Sequence, residues 1–295
     1  MLSLLAALLA TPATAPPPPQ PAEIVAAAPA SAWRRVDPAN LVLFETTVGT
    51  MAVELAPDFA PAHVAAIKAL VVAGRFDGGA ITRVQENYVI QWAARPEGDA
   101  PMVGQPPDTR PQRVRPRPLP PEFDRPAAGL AITPLGYPDA YAEGGFWNGW
   151  PVARDRGEGR AWLPHCHAMV GVGHDMPPDN GDGSELYAVN GHAPRHLDRN
   201  IAVVGRVIAG IEAHTALTRG TEALGFYKTP EEQTKLVRAR LASSVPEAPR
   251  YEAMDTASPA FAAYRTARAN RTGFFIRPAK AVDLCNVPVP VRVAE

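Results

Sequence analysis

At 295 residues and 46% hydrophobic content, the chain has ample apolar material for one large domain or two small ones. A formal net charge of −1 excludes any global attraction to nucleic acid or to acidic membranes. Basic residues gather only around Arg110 to Arg117 and Arg265 to Arg271, both expected as solvated surface, and the 34 prolines concentrate in the N-terminal tail and between Pro96 and Pro138.

The chain begins with Met1-Leu2-Ser3-Leu4-Leu5-Ala6-Ala7-Leu8-Leu9-Ala10 and then small residues up to Ala15. This is the pattern of a secretory signal over residues 1–15, without its usual basic start, and it is too short to span a membrane. Residues 16–36 are rich in Pro and Ala and are expected to form a linker. Alternation over Leu41–Thr46 and Met51–Leu55, around Val48-Gly49-Thr50, predicts a β-hairpin. Pro61 opens a helix that directs Val64, Ile67 and Val71 inward and leaves His63 and Lys68 to solvent; Gly74 closes it. Phe76-Asp77-Gly78 is expected as a turn into strands at Thr82–Val84 and Tyr88–Gln91.

Residues 95–160 lack a regular pattern and are expected as a long, ordered insertion. Strand signals return at 167–172, 185–189, 201–207 and 237–241, with helices at 210–217 and about 259–270. Many short strands with two helices fit a closed antiparallel barrel or a sandwich. The chain has two cysteines, Cys166 and Cys285, which would either form one disulfide or stay as buried thiols. Export favours the disulfide, which would tie the C-terminal tail to the core.

The stretch from Phe76 to Gln91 carries the chemistry. It sets Arg83 among the apolar residues Tyr88, Val89 and Ile90, with Gln91 as a two-way hydrogen-bonding group. A fixed cation beside an apolar wall suits a mostly hydrophobic substrate with one polar atom to be held. Taken alone, Arg83 reads better as a surface ion pair with Glu86.

The stretch resembles the signature Phe-Asp-Gly-x-x-Phe-His-Arg-Val-x-x-x-Phe-x-x-Gln of the cyclophilin family of peptidyl-prolyl isomerases. It matches at Phe76, Asp77, Gly78, Arg83, Val84 and Gln91, and departs at Ile81, Thr82 and Tyr88. Further resemblance lies, in the family's order, in His165–Gly171, Ser184-Glu185-Leu186-Tyr187 and Ala193–Asn200 with Val204-Gly205-Arg206-Val207. It covers roughly residues 40 to 242, apart from the insertion.

The resemblance implies a mainly β protein, a closed antiparallel barrel capped by two helices, over residues 37–245 with the insertion at about 95–160. Residues 246–295 would be a helical extension packed on it. By the same resemblance Arg83 is catalytic and Gln91 binds the substrate backbone. Tyr88, Val89, Leu186, Tyr187 and Leu197 line a proline pocket, and Gly173 and His174 sit in the loop whose backbone pairs with the peptide. Glu185 stands where many relatives have glutamine, His196 where a tryptophan is common and Ile201 where a histidine is common, which leaves the pocket more aliphatic.

The implied activity is rotation about Xaa-Pro bonds without a cofactor, assisting the folding of exported proteins, in the periplasm by likeness to exported bacterial members. The competing class is a proline-peptide-binding or chaperone module with weak turnover. The partners are proline-containing polypeptides, with no nucleic acid and no stable membrane insertion; a monomer is expected.

Other constellations are weaker. His165-Cys166-His167 with His174 offers two metal ligands at best on a strand, and no metal site is expected. Asp179–Glu185 has turn residues rather than calcium-loop spacing. Asn270-Arg271-Thr272 is a formal glycosylation triplet, and Phe274 and Phe275 are expected to be packing residues.

Overall fold

The computed structural model describes residues 18–95 and 119–294. The expected signal segment and the basic cluster at 110–117 lie outside them. Eight strands form one antiparallel sheet: β1 (Leu41–Thr46), β2 (Gly49–Leu55), β3 (Ala80–Gln85), β4 (Val89–Ala93), β5 (Met169–Val172), β6 (Glu185–Val189), β7 (Val203–Ala209) and β8 (Leu236–Leu241). Their order is β8-β1-β2-β7-β5-β6-β4-β3. The sheet curls into a nearly closed barrel. Its edges β8 and β3 meet at one end only, where Leu236 N donates to Gly79 O at 2.8 Å and Ile81 N to Thr234 O at 2.8 Å.

Asp77 reinforces that seam by accepting from Ala239 N and from the Arg240 guanidinium. Phe76 is buried beside it, edge-on to Phe44 at 5.2 Å. The Phe-Asp-Gly turn is thus the clasp of the barrel. Val53, Ile67, Ile90, Trp92 and Leu186 fill the interior with Phe44 and Phe76.

The described residues contain four α-helices: α1 (Pro21–Ala26), α2 (Pro61–Val72), α3 (Ile211–Thr215) and α4 (Pro259–Ala269). As the periodicity predicts, α2 sends Val64, Ile67 and Val71 into the barrel core. His63, expected in solvent, is fully buried. Its two ring nitrogens face Glu122 Oε2 at 2.7 Å and Asn180 O at 2.9 Å. Glu122 also accepts from the main-chain N–H groups of Ala62 and His63. A carboxylate from the insertion thereby satisfies orphan donors at the helix N-terminus. The other expected barrel helix, α3, is little more than one turn.

Two segments expected to lack regular structure are built. Within the insertion, the strands at 125–126, 160–162, 150–155, 143–147 and 133–134 form a five-stranded sheet in that order. Its central hairpin turns at Asn148 and Gly149, with φ of 47° and 78°. Asn-Gly tolerates the left-handed conformation that a two-residue hairpin loop requires. The described part of the expected linker carries α1 and a strand at Trp33–Arg35 that pairs with Tyr251–Met254. α1 packs on α4, and α4 packs on the insertion sheet, with Phe261 and Phe146 at 4.8 Å between ring centroids. The insertion, the N-terminal segment and the extension therefore share a second core that includes Leu135, Met254 and Leu284.

This second layer is fastened to the barrel in two ways. Cys166, just ahead of β5, is disulfide-bonded to Cys285 of the extension, with Cα atoms 4.9 Å apart. Glu54 of β2 accepts from Arg206 of β7 at 2.7 and 3.0 Å and from Arg34 of the N-terminal segment at 2.8 Å. The same two arginines donate to the main-chain oxygens of Gly149 and Asn148 in the insertion hairpin. Burial alone would push the Glu54 carboxyl up, but Arg206 and Arg34 outweigh it and hold it below its ordinary value.

Removing the Glu54 charge leaves a buried arginine without its partner, so Glu54→Gln is expected to cost about 3–5 kcal/mol in denaturant unfolding. A carboxyl whose folded pKa is depressed stabilises above its unfolded pKa and loses that contribution as pH falls through the folded value. The wild type should therefore lose stability below about pH 4.5 more steeply than Glu54→Gln.

Candidate active site

Arg83 owes its position to one extra residue. Ile81 pairs with Trp92 and Arg83 with Gln91, so Thr82 is a β-bulge between them. Without a bulge, positions 81 and 83 would share a face. With it, Ile81 lies in the barrel core while Arg83 stands on the outer face, level with Gln91. Gln91 pairs in turn with Tyr187 on β6, and Tyr187 with Gly171 on β5. Alternation then puts Val89, Gln91, Glu185, Tyr187 and Val189 on the outside and Ile90, Trp92, Leu186 and Ala188 on the inside.

The Arg83 guanidinium is held from several sides. Nε donates to Leu224 O at 2.6 Å, Nη2 to Gln85 Oε1 at 2.5 Å, and Nη1 reaches Gln91 Oε1 at 3.5 Å. The rings of Tyr88 and Phe226 flank it at 5.2 and 5.0 Å. Glu86, the alternative partner for Arg83, is paired with Arg219 instead. Gln91 Nε2 donates to Glu185 Oε1 at 2.8 Å, which extends the polar row across β4 and β6.

An apolar patch adjoins this row. Val89, Tyr187 and Val189 are buried together, with Tyr88 and Ile201 against them. His196 is exposed and stacks parallel to Tyr88 at 6.5 Å, and Leu197 beside it is half-buried. Gly173 N donates to Glu185 O at 2.8 Å, which sets the loop that follows β5 over Glu185. His174 packs beside Phe123 of the insertion, 6.5 Å between ring centroids, and its Nε2 lies 3.2 Å from Asn200 O.

One expected pocket residue is elsewhere. Leu186 has no exposed surface and belongs to the barrel core opposite Trp92, because it sits one residue out of phase with Glu185 and Tyr187. Of the other expected residues, Tyr88, Val89, Gly173 and Tyr187 adjoin the Arg83–Gln91–Glu185 row, His196 stacks on Tyr88, and His174 lies against Phe123 and Asn200.

Behind Tyr187 runs a polar chain that no sequence spacing announced. Its hydroxyl is 2.9 Å from His165 Nε2, and His165 Nδ1 is 3.0 Å from Asp198 Oδ1. A carboxylate at Nδ1 requires N–H there, and in that neutral tautomer Nε2 accepts a hydrogen bond from the tyrosine hydroxyl. Arg195 Nε donates to Asp198 at 2.6 Å and Arg195 Nη1 to Asp139 of the insertion at 3.2 Å. Burial would raise the Asp198 carboxyl, but hydrogen bonds from His165 and Arg195 hold it below its ordinary value. Burial pushes the Tyr187 phenol well up, so it stays neutral. Room for the phenol exists because position 171 is glycine, where a Cβ would lie 2.3 Å from the hydroxyl.

The histidine cluster does not converge. The strand expected over 167–172 begins at Met169, and Ala168 has φ of 68°. His165 is held by Asp198 and Tyr187, Cys166 is in the disulfide, and His167 Nδ1 accepts from Gly191 N. Asp179 and Asp182 accept from the main chain of Gly181 and Ser184, as turn residues do.

Comparison with known proteins agrees with this architecture. The model of the family described as "Cyclophilin type peptidyl-prolyl cis-trans isomerase/CLD" matches residues 41–241. The chain belongs to the cyclophilin family. It is therefore a peptidyl-prolyl cis-trans isomerase of cyclophilin type. It is 29% identical over 206 residues to proteins of Brucella suis and Brucella melitensis, each named "Probable peptidyl-prolyl cis-trans isomerase", covering 70% of this chain and 84% of theirs. Among solved structures it is similar to cyclophilin AquaCyp293 from Hirschia baltica, with a TM-score of 0.66 and 26% identity. That match covers 89% of this chain and 94% of the other, so the likeness reaches beyond the barrel of this cyclophilin.

Neighbouring substitutions on β6 should separate the two faces. Leu186→Ala opens a cavity in the barrel and is expected to cost about 2–5 kcal/mol in stability with KM for a proline peptide unchanged. Tyr187→Phe leaves His165 Nε2 without its donor and should cost about 1–3 kcal/mol, while the larger truncation Tyr187→Ala should raise KM. Denaturant unfolding and peptide kinetics on the three variants check this.

Proposed function

We propose that this cyclophilin turns Xaa-Pro bonds at the Arg83–Gln91 row and acts on proline-containing segments of exported polypeptides. The observation that carries the reading is the cross-strand pairing of Arg83 with Gln91, beside the apolar patch of Val89, Tyr187 and Val189.

Rotation about a peptide bond faces a barrier of about 18–20 kcal/mol that comes from amide resonance. In the twisted state the prolyl nitrogen regains a lone pair. A donor aimed at that lone pair binds the transition state better than either planar isomer. Arg83 supplies it, since a guanidinium is always charged and holds its donors in one plane. Its bonds to Leu224 and Gln85 and the rings of Tyr88 and Phe226 preorganise that plane before substrate arrives.

The prolyl ring rests on Val89 and Tyr187, with Tyr88, His196 and Leu197 at the rim. Gln91 and Glu185 hold the peptide backbone, and the main chain at Gly173 and His174 fixes the segment that does not turn. No bond is broken and no proton moves, so the reaction needs nothing beyond these groups.

Action on exported polypeptides is supported by the apolar run at Leu2–Ala10 followed by small residues, and by the Cys166–Cys285 disulfide. Both features suit an oxidising compartment outside the cytosol, and the periplasm is the compartment we propose.

The test is prolyl cis/trans exchange in a short Xaa-Pro peptide. Arg83→Ala should lower kcat/KM by about two to three decades, the worth of one preorganised donor. Arg83→Lys should recover little, because a point charge does not reproduce the planar fork. A rate for Arg83→Ala within about two-fold of wild type would remove Arg83 from the mechanism.

A further inference from the structure

The loop after α4, which forms the tip of the C-terminal extension's turn at 273–277, exposes three consecutive apolar side chains. Phe274 is 92% and Ile276 94% exposed, and Phe275 is exposed as well. The two rings, expected from sequence to pack in the fold, pack on each other, edge-on at 5.5 Å, with the Arg271 guanidinium 5.2 Å over Phe275. Scattered exposed apolar residues are ordinary, but three in a row at a loop tip mark a surface that expects cover.

Along the chain, the charge of this segment has one sign. From Arg265 to Val282 the chain carries Arg265, Arg268, Arg271, Arg277 and Lys280 and not a single carboxylate. Arg265 and Arg268 bond to the main-chain oxygens of Pro134 and Asn286 rather than to acidic side chains. This local excess stands on a protein whose net charge is −1. Gln20 Nε2 donates to Thr272 Oγ1 at 2.7 Å, which ties the entry of α1 to the base of the tip.

We propose that Phe274, Phe275 and Ile276, with Arg271, Arg277 and Lys280, form a docking tip for an anionic lipid surface. The apolar side chains enter at headgroup level while the cations meet lipid phosphates, the combination that gives peripheral membrane affinity. Three apolar residues alone fall far short of the roughly 1,200 Å² that a stable protein–protein interface buries. A bilayer needs no such area, because insertion and charge attraction add. The isomerase would then work at a membrane surface without spanning it; among the described residues no helix is long and apolar enough to cross one.

The experiment is co-sedimentation of the full chain with vesicles of phosphatidylcholine alone or mixed with phosphatidylglycerol, at low and high salt. Wild type should bind the mixed vesicles, lose binding as salt rises, and ignore phosphatidylcholine. Arg277→Gln with Lys280→Gln should weaken binding by about 25-fold, at roughly five-fold per cation. Phe274→Ser with Ile276→Ser should abolish it. Both double variants should keep wild-type isomerase rates, which shows that they fold.

Absence of binding by wild type overturns the proposal, as does equal binding to both vesicle types. Wild-type binding by the Phe274/Ile276 variant overturns it too, and assigns the affinity to the apolar residues near the N-terminus. A dimer in light scattering that this variant dissolves would assign the tip to contact between copies and overturn it as well.

Discussion

One inserted residue, Thr82, decides which way Arg83 faces, and the site follows from that choice. Side chains alternate along a strand, so a one-residue shift exchanges the faces of everything beyond it. In an unbulged β3, Arg83 would follow Ile81 into a barrel packed with Phe44, Trp92 and Ile90. A guanidinium there would be buried without water or a partner, which is prohibitive. The bulge keeps Ile81 inside and sets Arg83 outside, level with Gln91. The unbroken ladder between β4 and β6 carries the polar row on to Glu185 and the apolar patch on to Tyr187.

The rest of the molecule stiffens this face from behind. Glu122 of the insertion caps α2 and holds His63, and His63 reaches the carbonyl of Asn180 in the loop before β6. Asp139, Arg195, Asp198 and His165 form a continuous chain from the insertion to the Tyr187 hydroxyl. Glu54 with its two arginines and the disulfide lock the second layer onto the barrel. The insertion and extension thus act as a buttress with its own core, and their contacts end on the loops that surround the site.

Much of the barrel was legible in the sequence because its signals are local. Alternation marked β1 and β2, helical spacing with Pro61 marked α2, and strand runs marked β6 and β8 within a residue or two. Closure was not local. Periodicity left a sandwich open, and the resemblance to cyclophilins supplied the barrel. Proline and glycine content hid the insertion sheet, although Trp147-Asn148-Gly149-Trp150 carries a hairpin signal of its own. The segment before Leu41 gave no periodic signal because its order comes from docking on α4 and on Tyr251–Met254. His63 was misread because its partners, Glu122 and Asn180, lie 59 and 117 residues away.

Within the site, the structure brings Arg83, Val89, Gln91, Glu185 and Tyr187 to one face of the sheet and leaves Leu186 in the core. A run such as Glu185-Leu186-Tyr187 offers both faces of a strand, and only the register against Gln91 and Trp92 tells them apart. The supports of Arg83 from Leu224 and Phe226, and of Tyr187 from His165 and Asp198, were invisible for the same reason. They join distant segments through contacts that neither composition nor spacing encodes.

The most direct test of the account is a structure of the protein with a short Xaa-Pro peptide bound. The prolyl ring should lie against Val89 and Tyr187, with an Arg83 Nη within about 3 Å of the prolyl nitrogen or the adjoining carbonyl. A peptide seated with its proline away from that patch and out of reach of Arg83 would contradict it.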